Sequence, residues 1–228
     1  MRERGDLQVL HEPFMYDYYI GGDRDKFTGF APEAGHPTTY DGIKAMIREQ
    51  AATAPVFLKD MAYYVVDRLP HDTDFAGQMT HAFLLRDPTE AALSYAKRDP
   101  DFSRTELGHE AQHRLYHALV SLGQTPVVIT ADQLRADPEA TLGRYWAQVG
   151  LNFSAHAFTW DDRVPDGWQS VKGWHGEVLQ SGMIRKPEPS DTAARLAELD
   201  ADFSDYVAHH MPFYTELRDI AEAQAHQK

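Results

Sequence analysis

Four short apolar runs limit what this chain can fold into: "LQVL" from Leu7, "VFLK" from Val56, "HAFLL" from His81 and "PVVIT" from Pro126. Each has the length of a strand and is followed by a polar turn or a segment with helical periodicity. Strands alternating with helices predict an α/β fold with a mainly parallel sheet flanked by helices. Ligands in such folds bind beyond the carboxyl ends of the strands. Four positions therefore matter most: His11-Glu12, Lys59-Asp60, Arg86-Asp87 and Thr130-Asp132.

The turns and helices between the strands carry readable punctuation. "MRERGD" reads as the last turn of a helix running into the first strand, Leu7 to Phe14. Met15 to Pro37, rich in aromatics, Gly and Asp, reads as an irregular loop or lid. Tyr40 to Ala52 has helical periodicity, "MAYYVVDRL" predicts a short helix, and "PHDTD" a turn. Asp87 is placed as an N-cap, Pro88 as the first helical residue and Glu90 as the reciprocal capping-box acid of a helix reaching about Arg98. A longer helix spans "ELGHEAQHRLYHALVSLG" up to Gly123, and Asp137 caps another that ends at Gly150. A final helix over "DTAARLAELDADFSDYVAHHM" gives way to a polar tail. The whole reads as one domain, residues 1–228, with its core at about 7–151 and a loop-rich, helical part at 152–228.

Composition narrows the function. A formal net charge of -13 argues against a nucleic-acid partner, which needs a basic face. It leaves room for a small polyanion in a local cationic pocket. The absence of cysteine excludes disulfides and thiolate chemistry. With neither a signal peptide nor an apolar run of spanning length, the expectation is a cytoplasmic protein without a membrane partner.

Three of the four strand ends carry charge suited to anion chemistry. Arg86 offers a planar fork of donors for a phosphate. Ser94, about two turns into the following helix, can point its hydroxyl at the same anion. Lys59 is a compact cation and Glu12 a candidate general base. The competing reading has Arg86 and Lys59 in structural ion pairs with acids such as Asp87 and Asp60.

"FLLRDPTEAALSY" resembles the nucleotide-binding segment of the sulfotransferases, which have a P-loop-type α/β fold. "VVITADQLRADPEATLGRYWAQVGL" is similar to that family's next strand and helix, and "VFLKDMAYYV" and "LQVLHEPF" resemble segments of its bacterial members. The resemblance implies that Arg86 and Ser94 hold the 3'-phosphate of 3'-phosphoadenosine 5'-phosphosulfate, the co-substrate, with no metal. It implies a sulfuryl transfer to a hydroxyl or amine of a small-molecule acceptor. Glu12 resembles the catalytic glutamate of "EP"-type members, with His11 as its neighbour. Lys59 matches the lysine that cytosolic members place two residues before a catalytic histidine, whose position Met61 holds here. The family's late glycine-containing loop resembles "VKGWHGEVLQSGMIRK", which makes Lys172 and Gly173 nucleotide-binding candidates.

The resemblance also implies a strand and a Gly/Ser/Thr-rich loop ahead of Leu7, cradling the 5'-phosphosulfate. Neither precedes Leu7 in this sequence. The expectation is an N-terminally truncated fold, through a start set too late, a shortened form or a substitute segment. Two other functions stay open. A nucleotide-binding or interaction module would keep Arg86 and Ser94 without catalysis. "HEAQH", His109 to His113, matches the helical zinc-protease pattern, with His117 one turn further. The aromatics of "FMYDYYIGG" and "WQSVKGWHG" are equally compatible with an acceptor pocket and with local packing.

Overall fold

The computed structural model describes residues 1–24, 30–160, 182–184, 194–195 and 201–226. The four expected strands are present: β1 (Gln8–His11), β2 (Val56–Lys59), β3 (Ala82–Leu85) and β4 (Val127–Thr130). Every pairing is parallel, as the alternation with helices requires. The strands form two sheets, β1 with β2 and β3 with β4, and no described strand joins them. The chain accordingly divides into two compact units, Met1–Val65 with Ser154–Ile184, and Val66–Phe153 with Arg185–Lys228.

In the first unit, β1 runs in register with β2 from Gln8 opposite Val56 to His11 opposite Lys59. Helix α1 (Tyr40–Ala51) connects them, capped by Thr39, whose hydroxyl accepts from Gly42 N. A short α2 (Ala62–Val65) follows β2. The segment expected as an irregular loop is partly built. A π-helical turn covers Asp17–Gly21, and Tyr16 and Tyr19 are buried. Tyr16 stacks on His36 at 3.6 Å between ring centroids, and Asp17 Oδ1 accepts from Tyr40 N at 2.9 Å. Aromatic packing thus gives a defined path to the described part of a stretch that reads as an irregular loop in sequence.

In the second unit a 3-10 turn at Leu69–His71 leads into α3 (Thr73–Gly77), where "PHDTD" predicted only a turn; Asp72 caps α3 by accepting from Phe75 N. After β3 comes α4 (Pro88–Ala96), with Asp87 accepting from Thr89 N and Glu90 N as expected. Then follow α5 (His109–Ser121), α6 (Ala131–Ala136) and α7 (Pro138–Gln148). The helix expected to reach α5 from Glu106 is broken by Gly108, whose φ of 85° only glycine adopts cheaply. Helix α6 has a complete capping box between Thr130 and Gln133, and Asp137 caps α7.

The polar tail is instead part of a helix, α8 (Ala201–Ala225). Val207, His210, Tyr214, Leu217 and Ala221 are all buried. Their spacings of three and four place them on one helix face. Pro212 lies inside α8, but both it and Ala208, whose carbonyl loses its partner, are exposed to solvent. The Gln224 side chain accepts from Val128 N at 2.8 Å and donates to Pro126 O at 3.0 Å. It satisfies the backbone of β4 as a neighbouring strand would. β3 is not a buried run: Phe83 and Leu85 face inward, whereas Leu84 is 56% exposed. Among the described residues, no helix is long and apolar enough to cross a membrane.

Candidate active site

At the carboxyl ends of β1 and β2 the chain turns sharply. Glu12 follows the last β1 residue with φ of 50°, in the left-handed region. For a non-glycine residue this costs about 1 kcal/mol, and such strain concentrates at functional sites. Hydrogen bonds hold it there: Glu12 N donates to Lys59 O at 2.6 Å, and Glu12 O accepts from Met15 N at 3.1 Å. The turn buries the Glu12 side chain against β2 and α2.

Three groups converge on that carboxylate. Lys59 Nζ donates to Oε1, Tyr64 Oη donates to Oε2 at 3.2 Å, and His11 Nε2 lies 3.8 Å from Oε1. Lys59 therefore grips Glu12 twice, through its carbonyl and its ammonium. Burial is the largest influence on Glu12 and by itself would raise its pKa. The charges of Lys59 and His11, with hydrogen bonds from Lys59 and Tyr64, outweigh it and hold the carboxyl below its ordinary value. Glu12 is thus an ionised carboxylate at neutral pH. Met61 Sδ lies 3.6 Å from Lys59 Nζ, packing against the ammonium.

A second carboxyl beside this cluster behaves oppositely. Asp60 Oδ1 accepts from Phe14 N at 3.1 Å, and Oδ2 is buried without a hydrogen-bond partner. Burial, reinforced by the charge of Glu12, pushes Asp60 well above its ordinary pKa. The environment pushes the two carboxyls in opposite directions, Glu12 down and Asp60 up, the kind of separation that divides acid from base in many active sites. Asp60→Asn keeps the acceptor for Phe14 N and removes a carboxyl whose charged form burial opposes, so it melts at or above the wild-type temperature. Asp60→Ala loses that acceptor and costs about 1 to 3 kcal/mol. Thermal melts that drop equally for both variants would contradict burial opposing the charge of Asp60.

The second unit places Arg86 immediately after β3. Its Nε lies 3.4 Å from Glu90 Oε2, and its side chain is 46% exposed. The ion-pair expectation therefore holds for Arg86 with a different partner, Glu90 rather than Asp87, and for Lys59 with Glu12 rather than Asp60. Nor does the Glu90 carboxylate close a capping box. It also accepts from Arg135 Nη2 at 2.9 Å, so one carboxylate joins two guanidinium groups. Burial opposes ionisation of Glu90 most strongly, but Arg135 and Arg86 prevail and lower its pKa. Ser94 Oγ accepts from Arg98 Nη1 at 2.7 Å, leaving its own proton to donate elsewhere.

The HEAQH histidines do not share a ligand. His109 is buried and its Nε2 donates to Arg86 O at 2.7 Å, which fixes the backbone carrying Arg86. His113 Nε2 lies 2.9 Å from Glu216, and Glu110 pairs with His209. Lys172 and Gly173 lie outside the described residues.

Comparison with known proteins decides the family. A model of the sulfotransferase domain matches residues 1–221. The chain belongs to the sulfotransferase domain family. Over 223 residues the sulfotransferase domain is 26% identical to branched-chain-amino-acid aminotransferase-like protein 2 of Arabidopsis thaliana. Over 224 residues it is 28% identical to branched-chain-amino-acid aminotransferase-like protein 1 of the same plant. Both alignments cover 95% of this chain and 38% of the relative, so the chain spans well under half of their length. No solved structure matches it.

Within the sulfotransferase domain, sequence reasoning named Glu12, Lys59 and His11, and the structure brings those three together. It overlooked Tyr64 and Arg135 and treated Asp60 only as a pairing acid. Tyr64 lies within the "VFLKDMAYYV" segment, and one helical turn after a strand end can return a hydroxyl to that end. Arg135 lies in "ADQLRADPE", where nothing in the spacing announces its meeting with Glu90.

Proposed function

We propose that this chain transfers a sulfuryl group from 3'-phosphoadenosine 5'-phosphosulfate to a hydroxyl or amine of a small-molecule acceptor. The observation that carries this reading is the ionised, buried Glu12 carboxylate held by Lys59, Tyr64 and His11 at the ends of β1 and β2. Sulfuryl transfer resembles phosphoryl transfer, in which the protein mainly positions groups and stabilises charge. The donor supplies the sulfuryl group and a phosphate leaving group.

Glu12 accepts the proton of the acceptor's O–H or N–H while that atom forms its bond to sulfur. The bond from sulfur to the 5'-phosphate oxygen breaks, and its electron pair stays on the phosphate. As Glu12 becomes neutral, Lys59 loses its anionic partner. Its charge is then available to offset the negative charge on the departing oxygen. Tyr64 donates to Oε2 and keeps the carboxylate turned toward one face.

The residues beyond β3 fit the nucleotide's 3'-phosphate chemically. Apart from the long Glu90 contact, the Arg86 guanidinium has no ion pair or hydrogen bond among the described residues. Ser94 has a hydroxyl proton to give. Arg86 would hold the 3'-phosphate through a charge-assisted pair, with Ser94 as a second donor. Calorimetry with 3'-phosphoadenosine 5'-phosphate tests this half of the reading. Arg86→Ala weakens binding by about 10- to 100-fold, the loss of a hydrogen bond to a charged group. Unchanged affinity in that variant would remove Arg86 from the site.

A further inference from the structure

One side-chain cluster takes no part in the chemistry proposed above. His113 and His117 stand four residues apart on α5 and therefore share a helix face. Their Nε2 atoms lie 2.9 Å from Oε2 and 2.8 Å from Oε1 of Glu216, which projects from α8. One ligand atom from each of the three residues fits within a 4.8 Å span. About a hundred residues of sequence separate the histidines from the glutamate. We propose that His113, His117 and Glu216 form a divalent transition-metal site of the zinc class that fastens α8 onto α5.

The donor set and its spacing support this. Two imidazoles and a carboxylate form a nitrogen-rich, borderline-soft set that suits Zn2+, Co2+ or Ni2+ and gives little to hard Mg2+. Three protein ligands leave a fourth position for water. Zinc–nitrogen and zinc–oxygen bonds of about 2.1 Å at tetrahedral angles put ligand atoms roughly 3.4 Å apart. The present N···O separations need to open by only about half an ångström, which rotation of the exposed Glu216 side chain provides. The Glu216 and His117 side chains are 52% and 45% exposed, so an ion can enter from solvent.

The surroundings do not oppose a cation. Phe213 lies against the His113 ring at 5.3 Å between centroids, and Tyr116 against the His117 ring at 5.3 Å. Two aromatic rings thus flank the histidines and limit their rotation. On α8, Arg218 pairs with Asp219 and Glu222; on α5, Arg114 pairs with Asp67. Without metal, the imidazoles and Glu216 satisfy one another by hydrogen bonding. With metal, each imidazole moves its proton to Nδ1 and presents the Nε2 lone pair. Protons compete for that lone pair, so affinity falls in acid.

Thermal melts of the full chain, dialysed against chelator and then titrated with ZnCl2 at pH 7.5, test the site. At a hundredfold excess over Kd the expected rise in Tm is roughly 5 to 10 °C. His117→Ala and Glu216→Gln each abolish it, and both positions are exposed enough for the variants to fold. His226→Gln, at an exposed histidine outside the cluster, keeps it. Co2+ gives the intense visible absorption of a four-coordinate site in the wild type but not in His117→Ala. No rise in Tm, a rise that survives His117→Ala, or one lost in His226→Gln would overturn the proposal, leaving only a His–Glu hydrogen-bonded cluster.

Discussion

Glu12→Gln lowers the sulfuryl-transfer rate by about 10²- to 10⁴-fold, the usual contribution of a positioned general base. The amide keeps the volume and an acceptor oxygen for Tyr64 Oη, but it cannot take a proton. Its neutrality also leaves Lys59 without its anionic partner. The side chain of Lys59 is 45% exposed, so water resolvates the ammonium and the variant stays folded. Affinity for 3'-phosphoadenosine 5'-phosphate changes little, because Glu12 contacts the acceptor rather than the nucleotide in this mechanism. The pH dependence gives an independent readout. Lys59, His11 and Tyr64 hold Glu12 below its ordinary pKa against the opposing effect of burial. The acid limb of kcat/KM therefore falls below about pH 4.3, the ordinary glutamate value. A limb near pH 6 to 7 would point to histidine as the base, and full-rate Glu12→Gln would remove Glu12 from the chemistry.

Trp146→Ala has the largest expected effect on stability. Trp146 is 0% exposed, the largest of the fully buried side chains, and projects from α7. It meets Phe153 edge to face at 5.7 Å, and its carbonyl accepts from Leu151 N at 2.7 Å where the helix ends. Truncation leaves a cavity that a helix packed against β4 cannot close. The expected loss is about 3 to 5 kcal/mol, read by chemical denaturation of the second unit. Trp146→Phe keeps most of the volume and costs less. A loss under about 1 kcal/mol for the alanine variant would show that α7 packs loosely.

How far the sequence revealed this structure depends on the range of each interaction. Caps act over three or four residues, so Asp87 and Asp137 were readable from their own neighbours. The strands were readable as apolar runs, and their parallel pairing followed from alternation with helices. Which strands share a sheet is a long-range choice, and no local pattern in "HAFLL" distinguishes one neighbour from another. The two-sheet arrangement and the exposure of Leu84 were hidden for that reason. The final helix, expected to give way after Met211 to a polar tail, continues through Pro212, which lies on the solvent side, where a lost hydrogen bond is replaced by water. The apolar and histidine spacing from Val207 to Ala221, buried on one face, carries the helix past it.

The site divides along the same line. Glu12 and Lys59 were visible because strand ends in α/β folds collect ligand-binding groups. The opposite shifts of Glu12 and Asp60 were not visible, since they depend on burial and on distances to Lys59, Tyr64 and Phe14. "HEAQH" predicted a histidine pair one helical turn too early. His109 turns inward to the Arg86 carbonyl, and His113 meets His117 instead. A motif fixes spacing along the helix, whereas packing decides which face looks outward.

The most direct test of the proposed chemistry is a chromatographic assay for 3'-phosphoadenosine 5'-phosphate. The chain is incubated with 3'-phosphoadenosine 5'-phosphosulfate and a panel of hydroxyl and amine acceptors. Acceptor-dependent release of the desulfated nucleotide, matched mole for mole by sulfated acceptor and suppressed in Glu12→Gln, is the predicted result. Nucleotide that binds but stays sulfated with every acceptor would contradict transfer and leave a binding module.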